Sequence, residues 1–133
     1  MSLIKIINFL PLGDKRGSLM SLESKKNVPF EIKRVYYIFN TKVDVSRGFQ
    51  AHHSIKQVMV CLNGSCRFVL DDGLRRDEVL LDSPHQGLVI DKLTWREMHN
   101  FSANCVLLVL ASEYYNENDY IRNYEEFLKI VNE

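Results

Sequence analysis

Three of the four histidines in this chain stand where side chains could handle protons. His52 and His53 lie in the stretch RGFQAHHS, and His99 lies in WREMHNF. On a strand, Gln50 and His52 share one face because side chains alternate with a period of two, and His53 then faces the other way. Histidine titrates near neutral pH and can both take and return a proton. A polar pair on one face of an apolar sheet fits a cavity for a polar ligand; His52 reads equally well as a satisfied structural histidine. Two histidines at i and i+2, a nearby carboxylate and a later histidine would make a mononuclear metal site. Here Gln50 occupies the first of those positions and Gln57 the carboxylate's, so only His52 and His99 remain and no metal is expected.

Charge points to the ligand class. Lys plus Arg and Asp plus Glu both total 17, a zero balance that argues against a general nucleic-acid binder. Residues 1–56 nevertheless carry ten Lys/Arg against four Asp/Glu, and residues 57–133 seven against thirteen. A few arginines around one pocket would suit a small anionic ligand; two solvated faces of opposite sign would give the same count. The apolar stretch from Ile4 to Leu12 is short, broken by Lys5, Asn8 and Pro11, and lacks a cleavage-like site, so neither membrane nor export is expected. Cys61, Cys66 and Cys105 lie in apolar runs without a Cys-x-x-Cys pair, as expected of reduced core thiols in a cytoplasmic protein.

The elements that must position these groups are short β patterns. The 133 residues, 46% of them hydrophobic, predict one domain over 1–133. Strands are predicted at Ile4–Phe9, Ser18–Glu23, Ile32–Phe39, Gly48–Ser54, Gln57–Leu62, Ser65–Leu70, Leu74–Leu81, Leu88–Ile90, Trp95–Phe101 and Cys105–Ala111. Asn63-Gly64 predicts a two-residue hairpin turn, and Asp72-Gly73 a second. Turn signals every 8–12 residues with no helix between strands predict an all-β sandwich or barrel. One helix is predicted, from about Glu117 to Val131, where apolar residues recur at spacings of three and four. It should close one end of the β structure or lie against it.

With those elements in place the chain resembles a degenerate cupin: G-x-Q-A-H-x4-Q-x6-G over residues 48–64, then P-x2-G and a late histidine over 84–99. More specifically, DKRGSL, PFEIKRVYYIF, RGFQAHHSIKQV, CLNGSCRFVLDDG, LDSP, WREMHNF and VLLVLASEYYNENDYIRNYEEF together resemble the dTDP-sugar 3,4-ketoisomerases, in order and over essentially the whole chain. The resemblance implies a cupin-type jelly roll with a short C-terminal helix and a homodimer. It implies a metal-independent isomerase, without cofactor, that moves a keto group from C4 to C3 of a dTDP-4-keto-6-deoxyhexose in surface-polysaccharide biosynthesis. Such chemistry needs a proton removed at C3, an enediolate stabilised and a proton returned at C4, for which histidines and hydrogen-bond donors suffice.

The resemblance also implies roles. His52 matches the second histidine of the family's His-Ala-His and is the acid/base candidate. Tyr36 matches a pocket tyrosine that bonds the sugar or its phosphate. Arg34 and Arg47 match substrate-binding arginines, Arg16 and Arg96 are assigned to substrate orientation, and His99 to the cavity or to packing beside Trp95 and Phe101. Arg67 and Arg122 are expected to matter little. At Gln50 the family has a histidine, the expected base at C3. An amide has hydrogen-bonding capacity but no useful basicity, so binding should survive while proton abstraction suffers. An inactivating change, a shift of the base role to His52 and a related one-histidine reaction all remain open, the first being favoured. The competing functions are a dTDP-sugar 3,5-epimerase and a non-catalytic nucleotide-sugar-binding cupin.

Overall fold

Residues 2–133 are described by a computed structural model. In chain order the strands are β1 (Lys5–Asn8), β2 (Leu12–Asp14), β3 (Gly17–Leu19), β4 (Arg34–Ile38), β5 (Arg47–His52) and β6 (Gln57–Asn63). There follow β7 (Cys66–Asp71), β8 (Arg76–Leu81), β9 (Gln86–Ile90), β10 (Trp95–His99), β11 (Val106–Ala111) and β12 (Tyr120–Ile121), then helix α1 (Tyr124–Val131). One five-stranded sheet has the order β1-β9-β6-β11-β4, the other β12-β5-β10-β7-β8, and β2 and β3 form a separate hairpin. The ladders within both sheets are antiparallel. The sheets do not join edge to edge, so the expected jelly roll is a sandwich and not a closed barrel.

Period-two alternation explains the core. Met59 and Cys61 of β6, Phe68 and Leu70 of β7, and Leu107 and Val109 of β11 all turn between the sheets. Each fully buried side chain of this size contributes roughly 1.5–3 kcal/mol by leaving water. The opposite faces are covered as well. Val58, Val60 and Leu110 pack under Phe9, Val28 and Phe30 of the N-terminal segment, while Ala51 and Trp95 pack under Phe127 of α1.

Three local expectations change. Asn63-Gly64 is no hairpin turn, because β6 and β7 belong to different sheets. Both strands bury a face on the same core, so the chain crosses from one layer to the other there. Gly64 adopts φ +73°, and a Cβ on it would meet Ser102 Oγ at 2.2 Å. The β7–β8 connection does form a hairpin, but Asp71 pairs with Arg76, so four residues loop between the strands, with Asp72 Oδ1 accepting from the Leu74 and Arg75 backbone N–H. The C-terminal helix begins only at Tyr124, where the Asn123 side chain accepts from the Glu126 N–H as its cap. Glu117–Asp119 is a 3₁₀ turn, and Tyr120–Ile121 pairs with His52 and Ala51 instead of continuing the helix.

Candidate active site

One cleft of 370 Å³ lies between the sheets, lined by Arg34, Tyr36 and Ile38 of β4, Arg47, Gly48 and Gln50 of β5, Met98 of β10, and Tyr120 and Arg122. Larger depressions of 570 and 710 Å³ lie elsewhere, beside Phe9 and Leu10 and beside Lys5 and Lys92, and hold none of the candidate residues. Alternation on β4 sends Arg34, Tyr36 and Ile38 inward while Val35 and Tyr37 stay exposed. Strict alternation on β5 would separate Arg47 from Gln50, three residues on. A bulge brings them together: Arg96 pairs with Gln50 but Glu97 with Gly48, leaving Phe49 unpaired at φ +57°. Such an extra residue re-aims its neighbours.

The cleft is cationic. The Arg34 guanidinium lies over the Tyr36 ring at 4.3 Å and the Tyr115 ring at 5.0 Å, without a carboxylate partner among the described residues. Arg122 is held by Glu117 through two bonds of 2.9 Å, lies over the Tyr120 ring at 4.3 Å and donates to Gln50 Oε1 at 3.2 Å. Arg122, set aside in the sequence as a control, thus belongs to the cleft wall. Its only signal, the β12–β5 pairing, lay inside a predicted helix. Arg67 lies on the outer face with Glu78 and Asn100, as a control should.

Behind the cleft lies a buried polar chain. Arg96 is fully buried. Its Nη1 donates to Gln57 Oε1 at 2.7 Å and its Nη2 to the Thr94 carbonyl at 3.0 Å. Gln57 Nε2 in turn donates to the Tyr36 hydroxyl at 3.1 Å. Burial pulls the Arg96 pKa down to about 10, which leaves it charged at neutral pH, and burial raises that of Tyr36. Arg96, assigned in the sequence to substrate orientation, does not line the cleft: it sits beneath the wall.

His52 is likewise covered. Its ring stands edge-on to Tyr120 at 4.4 Å between centroids, with Nδ1 3.5 Å from Asp119 Oδ2 and neither ring nitrogen in a good hydrogen bond. Desolvation first, and the Arg96 charge second, push its pKa down to about 3 against the pull of Asp119. His52 is a neutral, weak base one layer behind Tyr120. Asp119, absent from the sequence expectations, accepts from Ser54 Oγ at 2.7 Å and from the Ser54 and Ile55 backbone N–H at 3.1 Å each, which fixes the carboxylate beside the imidazole.

Two other candidates lie away from the cleft within the protomer. His99 faces outward, bonding Glu97 at 2.9 Å and Ser46 at 2.7 Å. It shares the parity of Trp95 and Glu97, opposite to Arg96 and Met98, and that parity was readable. Arg16 sits on the exposed β2–β3 hairpin, paired with Asp14 and away from the cleft lining.

A jelly-roll sandwich with arginines, a tyrosine and an amide around one cleft defines a cupin-type domain suited to a small polar anion. The chain belongs to the FdtA family, described as WxcM-like, C-terminal, whose model matches residues 2–132. The TDP-4-oxo-6-deoxy-alpha-D-glucose-3,4-oxoisomerase of Aneurinibacillus thermoaerophilus is 57% identical over 127 residues, 96% of this chain and 91% of the relative. The crystal structure of a 3,4-ketoisomerase from Helicobacter canadensis superposes with a TM-score of 0.96 at 52% identity, covering 100% of both chains. A single-substitution variant of the 3,4-ketoisomerase QdtA from Thermoanaerobacterium thermosaccharolyticum, in complex with TDP-4-keto-6-deoxyglucose, has a TM-score of 0.94 at 44% identity, covering 98% of this chain and 95% of that one.

Proposed function

We infer that this chain is a dTDP-sugar 3,4-ketoisomerase, moving the keto group of a dTDP-4-keto-6-deoxyhexose from C4 to C3. The observation that carries the reading is the gathering of Arg34, Arg47 and Arg122 with Tyr36 and Gln50 around one cleft. Arginine forks match a diphosphate, and Tyr36 and Gln50 in the same cleft offer hydrogen bonds to the sugar. The reaction breaks the C3–H bond, passes the electron pair into an enediolate and returns a proton at C4. Gln50 cannot take that proton. The nearest imidazole, His52, is a weak base behind Tyr120. Binding intact and turnover slow is the expected behaviour.

The same observation favours a second reading, a nucleotide-sugar-binding cupin without turnover, since Gln50 removes the group most suited to proton abstraction. Proton NMR of the dTDP-4-keto-6-deoxyglucose ring in deuterated water separates them. Loss of the C3 proton with a ketone appearing at C3 and deuterium at C4 supports the isomerase; binding without exchange supports the binding module. Exchange at C5 would mark a 3,5-epimerase instead.

We propose further that residues 1–133 act as one domain, in the cytoplasm and as a homodimer. Exposed Leu10, Leu12 and Leu19 at the hairpin, and Val35 and Tyr37 on edge strand β4, support a second copy as partner. None of the described helices is long and apolar enough to cross a membrane.

A further inference from the structure

The hydrogen bonds behind Tyr36 all run in one direction. Arginine has five N–H donors and no acceptor, so the contact from Arg96 Nη1 at 2.7 Å requires the carboxamide oxygen of Gln57. The amide nitrogen must then face Tyr36, and it has only hydrogens to offer. It donates to the hydroxyl oxygen at 3.1 Å. The Tyr36 hydroxyl is thereby an acceptor on its buried side, its own proton is left over, and among the described residues nothing accepts it. Gln57 and Arg96 are buried, so water does not compete for the chain. Tyr36 itself borders the cleft, and its hydroxyl is the end tied to buried Gln57.

We propose that Gln57 is a positioning residue that holds the Tyr36 hydroxyl as a hydrogen-bond donor to the keto oxygen of the bound sugar. The inference rests on the ketoisomerase reading and adds to it a residue outside the cleft. Charge grows on the sugar oxygens as the enediolate forms, and a donor already aimed there needs no reorganisation as it does so. Burial keeps the phenol protonated, so Tyr36 donates and does not abstract.

Gln57→Glu tests this because it keeps the shape and reverses the polarity. A carboxylate accepts from Arg96 and also from Tyr36, so the hydroxyl proton turns away from the cleft. The fold should hold, since Arg96 gains a charged partner, and a thermal midpoint at or above the parent's checks it. The probe is dTDP-4-keto-6-deoxyglucose labelled with ¹³C at C4, read by infrared difference spectroscopy when bound. The C4 carbonyl stretch is expected at lower frequency in the parent than in Tyr36→Phe, and Gln57→Glu should match Tyr36→Phe. In turnover both variants should lose about 100-fold in kcat with little change in KM, and the double variant should be no slower than either. An unchanged carbonyl in Gln57→Glu, or losses that multiply in the double variant, overturns the role of Gln57. Should Gln57→Glu unfold, an unchanged carbonyl in Tyr36→Phe overturns it equally. No bound-sugar spectrum in the parent overturns the ketoisomerase reading itself, and is told apart in the same measurement.

Discussion

Arg122 donates from Nη1 to Gln50 Oε1 across 3.2 Å, joining the residue after β12 to the position on β5 where the resemblance calls for the base at C3. The bond occupies the amide oxygen and leaves the NH₂ group for a ligand; neither end is basic. Replacing Gln50 by histidine should therefore raise deuterium wash-in at C3 of dTDP-4-keto-6-deoxyglucose by about 10²–10⁴-fold, the usual contribution of a positioned general base. NMR of parent and Gln50→His side by side measures it. Equal, rapid exchange in both would move the base role to His52.

The arginines should control affinity. Arg34→Ala and Arg47→Ala are each expected to weaken dTDP binding by roughly 1.5–3 kcal/mol, the net worth of a charged hydrogen bond. Arg122→Ala should weaken it as well, through the cleft wall, whereas Arg67→Ala should leave it unchanged. Isothermal calorimetry reads all four. Unchanged affinity in both Arg34→Ala and Arg47→Ala would refute the diphosphate placement.

His52 should make the fold sensitive to acid. Its pKa falls from 6.5 in the unfolded chain to about 3 in the folded protein, so between those values the unfolded state binds the extra proton. Stability is complete above about pH 6.5 and is lost as pH falls towards 3, by up to about 1.4 kcal/mol per pH unit from this group. Asp119, whose carboxylate the Ser54 and Ile55 donors hold below its usual range, loses stability in the same direction at the lower edge of the window. Urea unfolding across pH 7 to 4 should show a shallower slope in His52→Phe than in the parent. Parallel slopes would mean that the imidazole titrates in the fold as it does in the unfolded chain.

Asp119 should carry structure out of proportion to its size. Asp119→Ala strands the buried Ile55 N–H and leaves the exposed Ser54 hydroxyl and N–H to water. An unsatisfied buried group costs about 1–3 kcal/mol, so a loss within that range is expected. Ser54→Ala removes a single bond and should cost about 1 kcal/mol. Equal losses in denaturant titrations of the two would show that the carboxylate does not organise this turn.

Much of this molecule was legible in the residues alone, because hydrophobic alternation is local. The strand runs, the inward parity of Arg34 with Tyr36 and of Gln50 with His52, and the apolar setting of the three cysteines follow from a period of two and side-chain type. The family resemblance, carried by motifs in order along the chain, anticipated the jelly-roll class and the ligand chemistry. Partners distant in sequence were not legible. That Asn63-Gly64 crosses between sheets depends on which strands bury their faces together, and an identical dipeptide would close a hairpin where one sheet continues. Tyr120 and Ile121 have helical spacing, yet β5 offered an open edge and their backbone hydrogen bonds went there. That choice brought Arg122 to Gln50 and Asp119 to His52. Arg96 has the inward parity of a cleft residue. Only the packing of Gln57 and Tyr36 above it decides that it lies beneath the wall, since burial depends on what stands in front of a side chain as well as on the face it occupies.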